Sequence, residues 1–118
     1  MLRRLMSIFP RRRDKRLIQA AEDGRVDLVD QLLQAGGNPN AKSDDDFTVL
    51  MWAAARGHIE VIKTLLESGA EPNARTRKGR TAEDIAVQEG HDSVAALLRE
   101  RGALVGPPEG KITAHDTA

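Results

Sequence analysis

The pattern of apolar and polar residues predicts two short amphipathic helices in the middle of the chain. Thr48 can cap the first of them, predicted over residues 49–56, because its hydroxyl can accept from a free backbone N–H. The second has an apolar stripe at positions i, i+1, i+4 and i+5, formed by Val61, Ile62, Leu65 and Leu66. Isolated helices of about 12–15 residues are already marginal in water, so each of these needs neighbours to pack against.

Glycines bound these helices and recur with a fixed period. Gly57 is predicted to end the first helix in the left-handed conformation, and Gly69 to end the second. The pair recurs at a step of 33 residues, as Gly24/Gly36 and Gly90/Gly102, and we expect the same two roles each time. Other residues keep that step: Ala20, Ala53 and Ala86; Leu32, Leu65 and Leu98; Thr48 and Thr81; His58 and His91. A period of about 20–50 residues marks an array of structural repeats.

Between successive glycine pairs the chain is predicted to form an extended finger. Pro72 follows Gly69 closely and prevents the helix from resuming. Gly79 lies in the turn of the next finger, and Asp46 stands one repeat earlier at the same position. Because aspartate tolerates the left-handed region better than most residues, we expect Asp46 to adopt it.

The middle unit resembles the ankyrin repeat. From Thr48 to Ala74 it follows the family pattern almost throughout, notably in Ala53-Ala-Ala-Arg-Gly-His58 and Val61-Ile-Lys-Thr-Leu-Leu-Glu-Ser-Gly-Ala70, and the likeness covers all three units. The family's Thr-Pro-Leu-His opening appears here as Thr48-Val-Leu-Met51 and Thr81-Ala-Glu-Asp84, of which the latter also reads as a capping box. The resemblance implies an all-α solenoid of helix-turn-helix repeats with short β-hairpin-like fingers.

The repeats divide the chain into three parts. They are a basic amphipathic segment (residues 1–13), three repeats (residues 14–41, 42–74 and 75–104) and a tail (residues 105–118). The tail is predicted to be disordered because it can bury little apolar surface. In the last repeat Arg99 replaces the Leu66 of the middle one, and such polar substitutions suit an end repeat whose outer face meets water.

Composition agrees with a thin, close-packed array of helices. Hydrophobic residues make up 40% of the chain but aromatic residues only 3%, so Leu, Val, Ile and Ala must build the core. The absence of cysteine excludes disulfides, thiolate catalysis and cysteine-ligated zinc. No apolar run approaches the roughly 20 residues of a membrane-spanning helix, so we expect a cytoplasmic protein.

The sequence does not indicate catalysis or metal binding. His58 and His91 lie one repeat apart, and packed helices are separated by about 8–10 Å, whereas zinc ligands lie about 2.0–2.1 Å from the metal. The serines show no grouping with histidine, and the glycines are spaced for helix ends rather than for a phosphate-binding loop. Residues 44–46 are three aspartates, but the ligands of a calcium loop do not follow them. We expect no enzyme, no cofactor and no metal ion, and we assign both histidines a structural role in the turns.

Two successive fingers carry opposite charge. Residues 42–46 are acidic at the tip, whereas residues 75–80 are basic. Two interpretations stay open: the fingers compensate each other, with about 0–1 kcal/mol per exposed pair, or they form a complementary surface that orients a protein partner. Nucleic-acid binding is disfavoured because the acidic tip interrupts the basic residues and stacking aromatics are scarce.

The family resemblance implies that a protein partner meets the fingertips and the exposed side of the first helix of each repeat. Phe47 and Trp52 are added because aromatic side chains are enriched at interface hot spots, although Trp52 is also expected to be partly buried. The predicted partner-binding set is Lys42, Asp44, Asp45, Phe47, Trp52, Ala55, Arg56, Arg75, Arg77, Lys78, Arg80, Gln88 and Glu89. The predicted function is that of a monomeric, non-catalytic interaction module, either a passive adapter or a regulator that occludes an enzyme.

Residues 1–13 support an alternative function. Four of their apolar residues lie at i, i+3, i+4 and i+7, namely Leu2, Leu5, Met6 and Phe9. The segment either covers the open side of the first repeat or anchors the module to an anionic membrane surface, where each basic residue contributes about 1 kcal/mol.

Overall fold

The computed structural model describes residues 12–105, and the side chains of residues 14–102 within them. This part of the chain forms six α-helices and no β-strand. The helices are α1 (Arg12–Glu22), α2 (Val26–Gln34), α3 (Val49–Arg56), α4 (Ile59–Glu67), α5 (Ala82–Gln88) and α6 (Asp92–Val105). The helix predicted over residues 49–56 is confirmed at both ends, whereas α1 begins two residues before the predicted start of the first repeat.

The helices stack in two parallel rows. Helices α1, α3 and α5 contact one another in sequence and form the first row, while α2, α4 and α6 form the second. Within each repeat the two helices also pack together. Small and aliphatic side chains fill the space between rows, and Ala21, Ala53, Ala54 and Ala86 are completely buried. The all-α solenoid of helix-turn-helix repeats that the family resemblance implies is therefore confirmed.

Threonine caps begin α3 and α5, as predicted. The Thr48 hydroxyl accepts from the Met51 backbone N–H at 3.2 Å, and the Thr81 hydroxyl accepts from the Asp84 N–H at 3.2 Å. In return, the threonine N–H donates to the side chain of the third helical residue. The acceptors are Sδ of Met51 at 3.3 Å and Oδ2 of Asp84 at 3.0 Å. Met51 and Asp84 therefore take the place of the family histidine at the helix start.

The first glycine of each pair lies in the left-handed region, as predicted. Gly24, Gly57 and Gly90 have φ of 74°, 75° and 82°. The histidine of the following repeat packs directly over the first two of them: a Cβ at Gly57 would lie 2.7 Å from Nδ1 of His91.

Each of these histidines also bonds the helix end of the preceding repeat. Nε2 of His58 lies 2.9 Å from the Glu22 carbonyl oxygen, and Nε2 of His91 lies 3.1 Å from that of Ala55. The structural role predicted for both histidines is confirmed.

The role predicted for the second glycine fails in the last repeat. Gly36 and Gly69 have positive φ and follow α2 and α4, but Gly102 lies inside α6, which continues to Val105. A Cβ at Gly102 would lie 2.9 Å from Oδ1 of Asn73, which is the end of a flexible side chain. The last glycine therefore lies beside an asparagine of the middle repeat and not at a helix end.

The segments predicted at the two ends of the chain, residues 1–13 and 105–118, lie almost entirely outside the described residues. Helix α6 ends at Val105, the first residue of the predicted tail. The remainder of that tail and residues 1–11 lie outside the described residues.

Candidate functional site

The two fingers are built on the same backbone pattern, one repeat apart. The Ser43 N–H donates to the Phe47 carbonyl at 2.9 Å, and the Thr76 N–H donates to the Arg80 carbonyl at the same distance. The first finger also closes with an antiparallel bridge between Lys42 and Thr48, which is the hairpin-like feature that the family resemblance implied. The fingers are therefore ordered by their own hydrogen bonds before any partner is present.

The turn of the first finger takes a left-handed backbone, as predicted. Residues 44–46 form a 3-10 turn in which Asp45 and Asp46 have φ of 63° and 61°. Gly79 occupies the matching position of the second finger with φ of 81°. The prediction for Asp46 is confirmed, and Asp45 shares its conformation.

The acidic and basic fingers lie side by side and bond to each other. The Arg77 N–H donates to the Asp45 carbonyl at 3.1 Å, and the Arg77 guanidinium lies 3.5 Å from the Asp45 carboxylate. Both side chains are more than 70% exposed, so the ion pair contributes at most about 1 kcal/mol. The two fingers thus compensate each other's charge at one point. This ion pair involves only Arg77 among the four cations of the second finger.

Two cations of the second finger have no partner within the described part of the chain. Arg75 donates to the Gly79 carbonyl at 3.0 Å, and Arg77 pairs with Asp45. The backbone N–H groups of Lys78 and Arg80 each donate to the Thr76 hydroxyl at 3.2 Å, but neither side chain forms an ion pair or a hydrogen bond among residues 14–102. Lys78 is exposed, whereas Arg80 is partly buried. A partly buried guanidinium with no anion beside it favours an anionic ligand.

A groove of about 370 Å³ separates the two fingers from α5. Its volume lies at the lower end of the about 300–1,000 Å³ found for ligand pockets in proteins. Its apolar walls come from Phe47 and Ile85, and its cations are Arg77, Lys78 and Arg80. Asp45 and Thr76 complete the lining.

In the middle repeat, Trp52 stands at the position that Ile85 occupies in the last repeat. Its indole N–H donates to the Ser43 hydroxyl at 3.2 Å, and its ring meets Phe47 edge-on with 4.9 Å between ring centroids. The side chain fills the space between its own finger and α3 and is partly buried. Trp52 thereby fixes the first finger against the helix row.

The structure brings five residues of the predicted set into one groove and leaves the others outside it. The five are Asp45, Phe47, Arg77, Lys78 and Arg80. Lys42, Asp44, Arg75, Gln88 and Glu89 are exposed elsewhere, and Lys42 pairs with Asp46 at 3.3 Å. Ala55 and Trp52 are partly buried, and Arg56 pairs with Glu22 at 2.6 Å. Five finger residues therefore line one groove, while Ala55, Trp52 and Arg56 also serve packing between or within repeats.

Thr76 and Ile85 line the groove but were missing from the predicted set. The 33-residue step places Thr76 at the position of Ser43, and Ile85 at the position of Trp52. Aligning the repeats position by position could have found both, because a smaller side chain at the tryptophan position leaves room beside the finger.

The described residues show neither a metal site nor a membrane span. Nowhere in this range do three or more His, Asp or Glu side chains cluster so as to hold a metal ion. Among the helices from Arg12 to Val105, none is long and apolar enough to cross a membrane.

The comparisons with known proteins bear on the family. The family model for ankyrin repeats, with three copies, matches residues 17–107. The comparison with curated proteins gives no match. The matched range covers the second half of α1, all of α2 to α6, the threonine caps and both fingers. The chain therefore belongs to the ankyrin repeat family.

Proposed function

We propose that this chain is a non-catalytic interaction module that binds one protein partner through its two fingers and the adjoining side of the first helix row. Proteins of the ankyrin repeat family are generally protein–protein interaction modules. The observation that carries the proposal is the groove between the fingers and α5, where five residues of the predicted set meet. The module itself acts as a monomer, as either an adapter or a regulator that occludes its partner.

Rigidity supports this assignment. Association costs free energy for every side chain and loop that must be ordered, about 0.5–1.5 kcal/mol for each immobilised side chain. Here the fingers are already held by the Arg77–Asp45 backbone bond and by the Trp52–Ser43 bond. The surface is presented in place, so little of the interaction energy is lost in ordering it.

Charge also supports it. The groove gathers three cations around one carboxylate, and that carboxylate is already paired with Arg77. Such a patch steers and orients an oppositely charged surface more than it adds affinity. A partner surface that is acidic where it meets the second finger fits this arrangement.

Affinity capture from the source cells tests the proposal. The test variant reverses two groove cations, Lys78→Glu with Arg80→Glu, and the matched control reverses an exposed cation of the second row, Lys63→Glu. Wild type and control should retain the same partner, and the test variant should lose it while keeping its helical circular dichroism. Equal capture by all three would refute the assignment of this surface.

The membrane-tethered alternative depends on residues 1–13, of which residues 1–11 lie outside the described part of the chain. It is tested separately, by flotation of the full chain with anionic vesicles against the variant Leu5→Asp with Phe9→Asp. Under the interaction proposal the two float equally. Flotation of the wild type alone would favour the membrane anchor.

A further inference from the structure

The groove beside the second finger exists because one side chain differs between equivalent repeats. In the middle repeat, Trp52 reaches back nine residues to Ser43 and five residues to Phe47. In the last repeat the same offsets relate Ile85 to Thr76 and to Arg80. Isoleucine is too short to fill the space that tryptophan fills, and the about 370 Å³ groove opens at that place.

The chemistry of the unfilled place follows from a second difference between the two repeats. Phe47, which meets Trp52 edge-on, is replaced by Arg80 in the last repeat. The opening is thus apolar at Ile85, which is only 5% exposed, and at Phe47 of the neighbouring finger. At its edge lies the partly buried guanidinium of Arg80, without an anionic partner in the described chain, and beside it the exposed ammonium of Lys78.

From these observations we propose that this groove is a side-chain pocket for an acidic segment of the protein partner, which inserts one apolar side chain next to a carboxylate. The apolar side chain lies against Ile85 and Phe47, where the Trp52 indole lies in the preceding repeat. The carboxylate accepts hydrogen bonds from Arg80, whose planar guanidinium suits bidentate contact with it. This inference rests on the proposed function, because it specifies the chemistry of the partner at one point of that surface.

The size and lining of the groove favour such an occupant. A pocket of about 370 Å³ is at the small end for ligands, and suits one side chain with its adjoining backbone. Arg77 already pairs with the Asp45 carboxylate. We therefore do not expect Arg77 to bind a second anion. Lys78 and Arg80 therefore define the anionic end of the bound segment, and Phe47 with Ile85 its apolar end.

Nuclear magnetic resonance of the full ¹⁵N-labelled chain tests the inference with defined peptides. The probe is the blocked pentapeptide acetyl-DDLDD-amide. One control peptide replaces leucine by serine, and the other replaces the four aspartates by lysine. We expect saturable amide shifts at Thr76, Arg80 and Ile85 with the probe, weaker binding of the serine peptide, and no binding of the lysine peptide at these residues.

Two variants test the two parts of the pocket. Ile85→Trp should refill it and abolish the probe's shifts around Thr76. Arg80→Gln should weaken probe binding at least about tenfold, because it removes a hydrogen bond to a charged group. Since the Arg80 side chain has no partner among the described residues, this second variant leaves the fold intact even if the first does not. The matched control Lys63→Gln, on α4, should bind as wild type does.

The outcomes separate this inference from the function it rests on. Probe shifts that survive both variants, shifts that follow the lysine peptide equally, or no shifts at all would overturn the acidic, apolar pocket. If cellular capture is lost in the Lys78→Glu, Arg80→Glu variant but retained by Ile85→Trp, the binding surface stands and the pocket does not. Loss of capture and of probe binding in an Ile85→Trp variant that keeps the helical circular dichroism of the wild type supports both.

Discussion

Replacing Gly57 by alanine tests how neighbouring repeats are joined. Gly57 ends α3 with φ 75° and ψ 24°, and a Cβ there would lie 2.7 Å from Nδ1 of His91 and 2.9 Å from its Cε1. Alanine therefore brings two costs, one for the left-handed backbone and one for displacing the His91 ring. Gly90 supplies a matched control, because it has φ 82° but no atom within 4 Å of an added Cβ.

The two costs have different sizes. The left-handed conformation costs a residue with a Cβ about 1–2 kcal/mol, and both variants bear that cost. Only Gly57→Ala also displaces His91, whose Nε2 bonds the Ala55 carbonyl at 3.1 Å. A hydrogen bond of this kind contributes about 0.5–1.5 kcal/mol net. We therefore expect a loss of about 1–2 kcal/mol for Gly90→Ala and about 1.5–3.5 kcal/mol for Gly57→Ala.

Thermal and urea unfolding followed by circular dichroism measure the difference. For a domain of about 60–100 residues, each kcal/mol shifts Tm by about 4–8 °C. A double-mutant cycle adds a second check, since in a His91→Ala background the Gly57→Ala cost should fall to that of Gly90→Ala. Equal losses for the two glycine variants in the wild-type background would show that His91 does not pack on Gly57. No loss at Gly57 would show that its backbone is not left-handed.

Three further variants test individual contacts. Ser43→Ala removes the acceptor of the Trp52 indole, so stability should fall by about 0.5–1.5 kcal/mol and the fluorescence of this sole tryptophan should change; unchanged emission would contradict the contact. Arg56→Ala should cost no more than about 1 kcal/mol in urea unfolding, because the Arg56 side chain is 54% exposed in its pair with Glu22; a larger loss would show a stronger repeat-to-repeat link. Val87→Lys should change stability by less than about 0.5 kcal/mol, because Val87 is 54% exposed; a larger loss would mean that Val87 is covered.

The period of the sequence predicted the helices well because local rules fix them. Thr48 and Gly57 bound α3 through a cap and a left-handed stop, and neither depends on distant residues. The same rules failed at Gly102, where the helix continues and the glycine lies beside Asn73, which is far away in sequence. A residue type kept at a periodic position can thus serve two different physical needs.

The candidate site was predicted less completely. The family resemblance, together with the finger charges, pointed to Arg77, Lys78 and Arg80, which line the groove. Exposure and charge could not indicate Ile85. It matters because it is smaller than Trp52, its equivalent in the preceding repeat, and so leaves space beside the finger. That space depends on the packing of two fingers against one helix, and single residues do not reveal it.

Hydrogen–deuterium exchange of the full chain, with and without the captured partner, tests the central claim most directly. If the fingers and the adjoining first-row side are the binding surface, amides of residues 43–47 and 75–80 should gain protection on binding, and those of α4 should not change. Protection confined to α4 and the second row, with the fingers unchanged, would contradict the account.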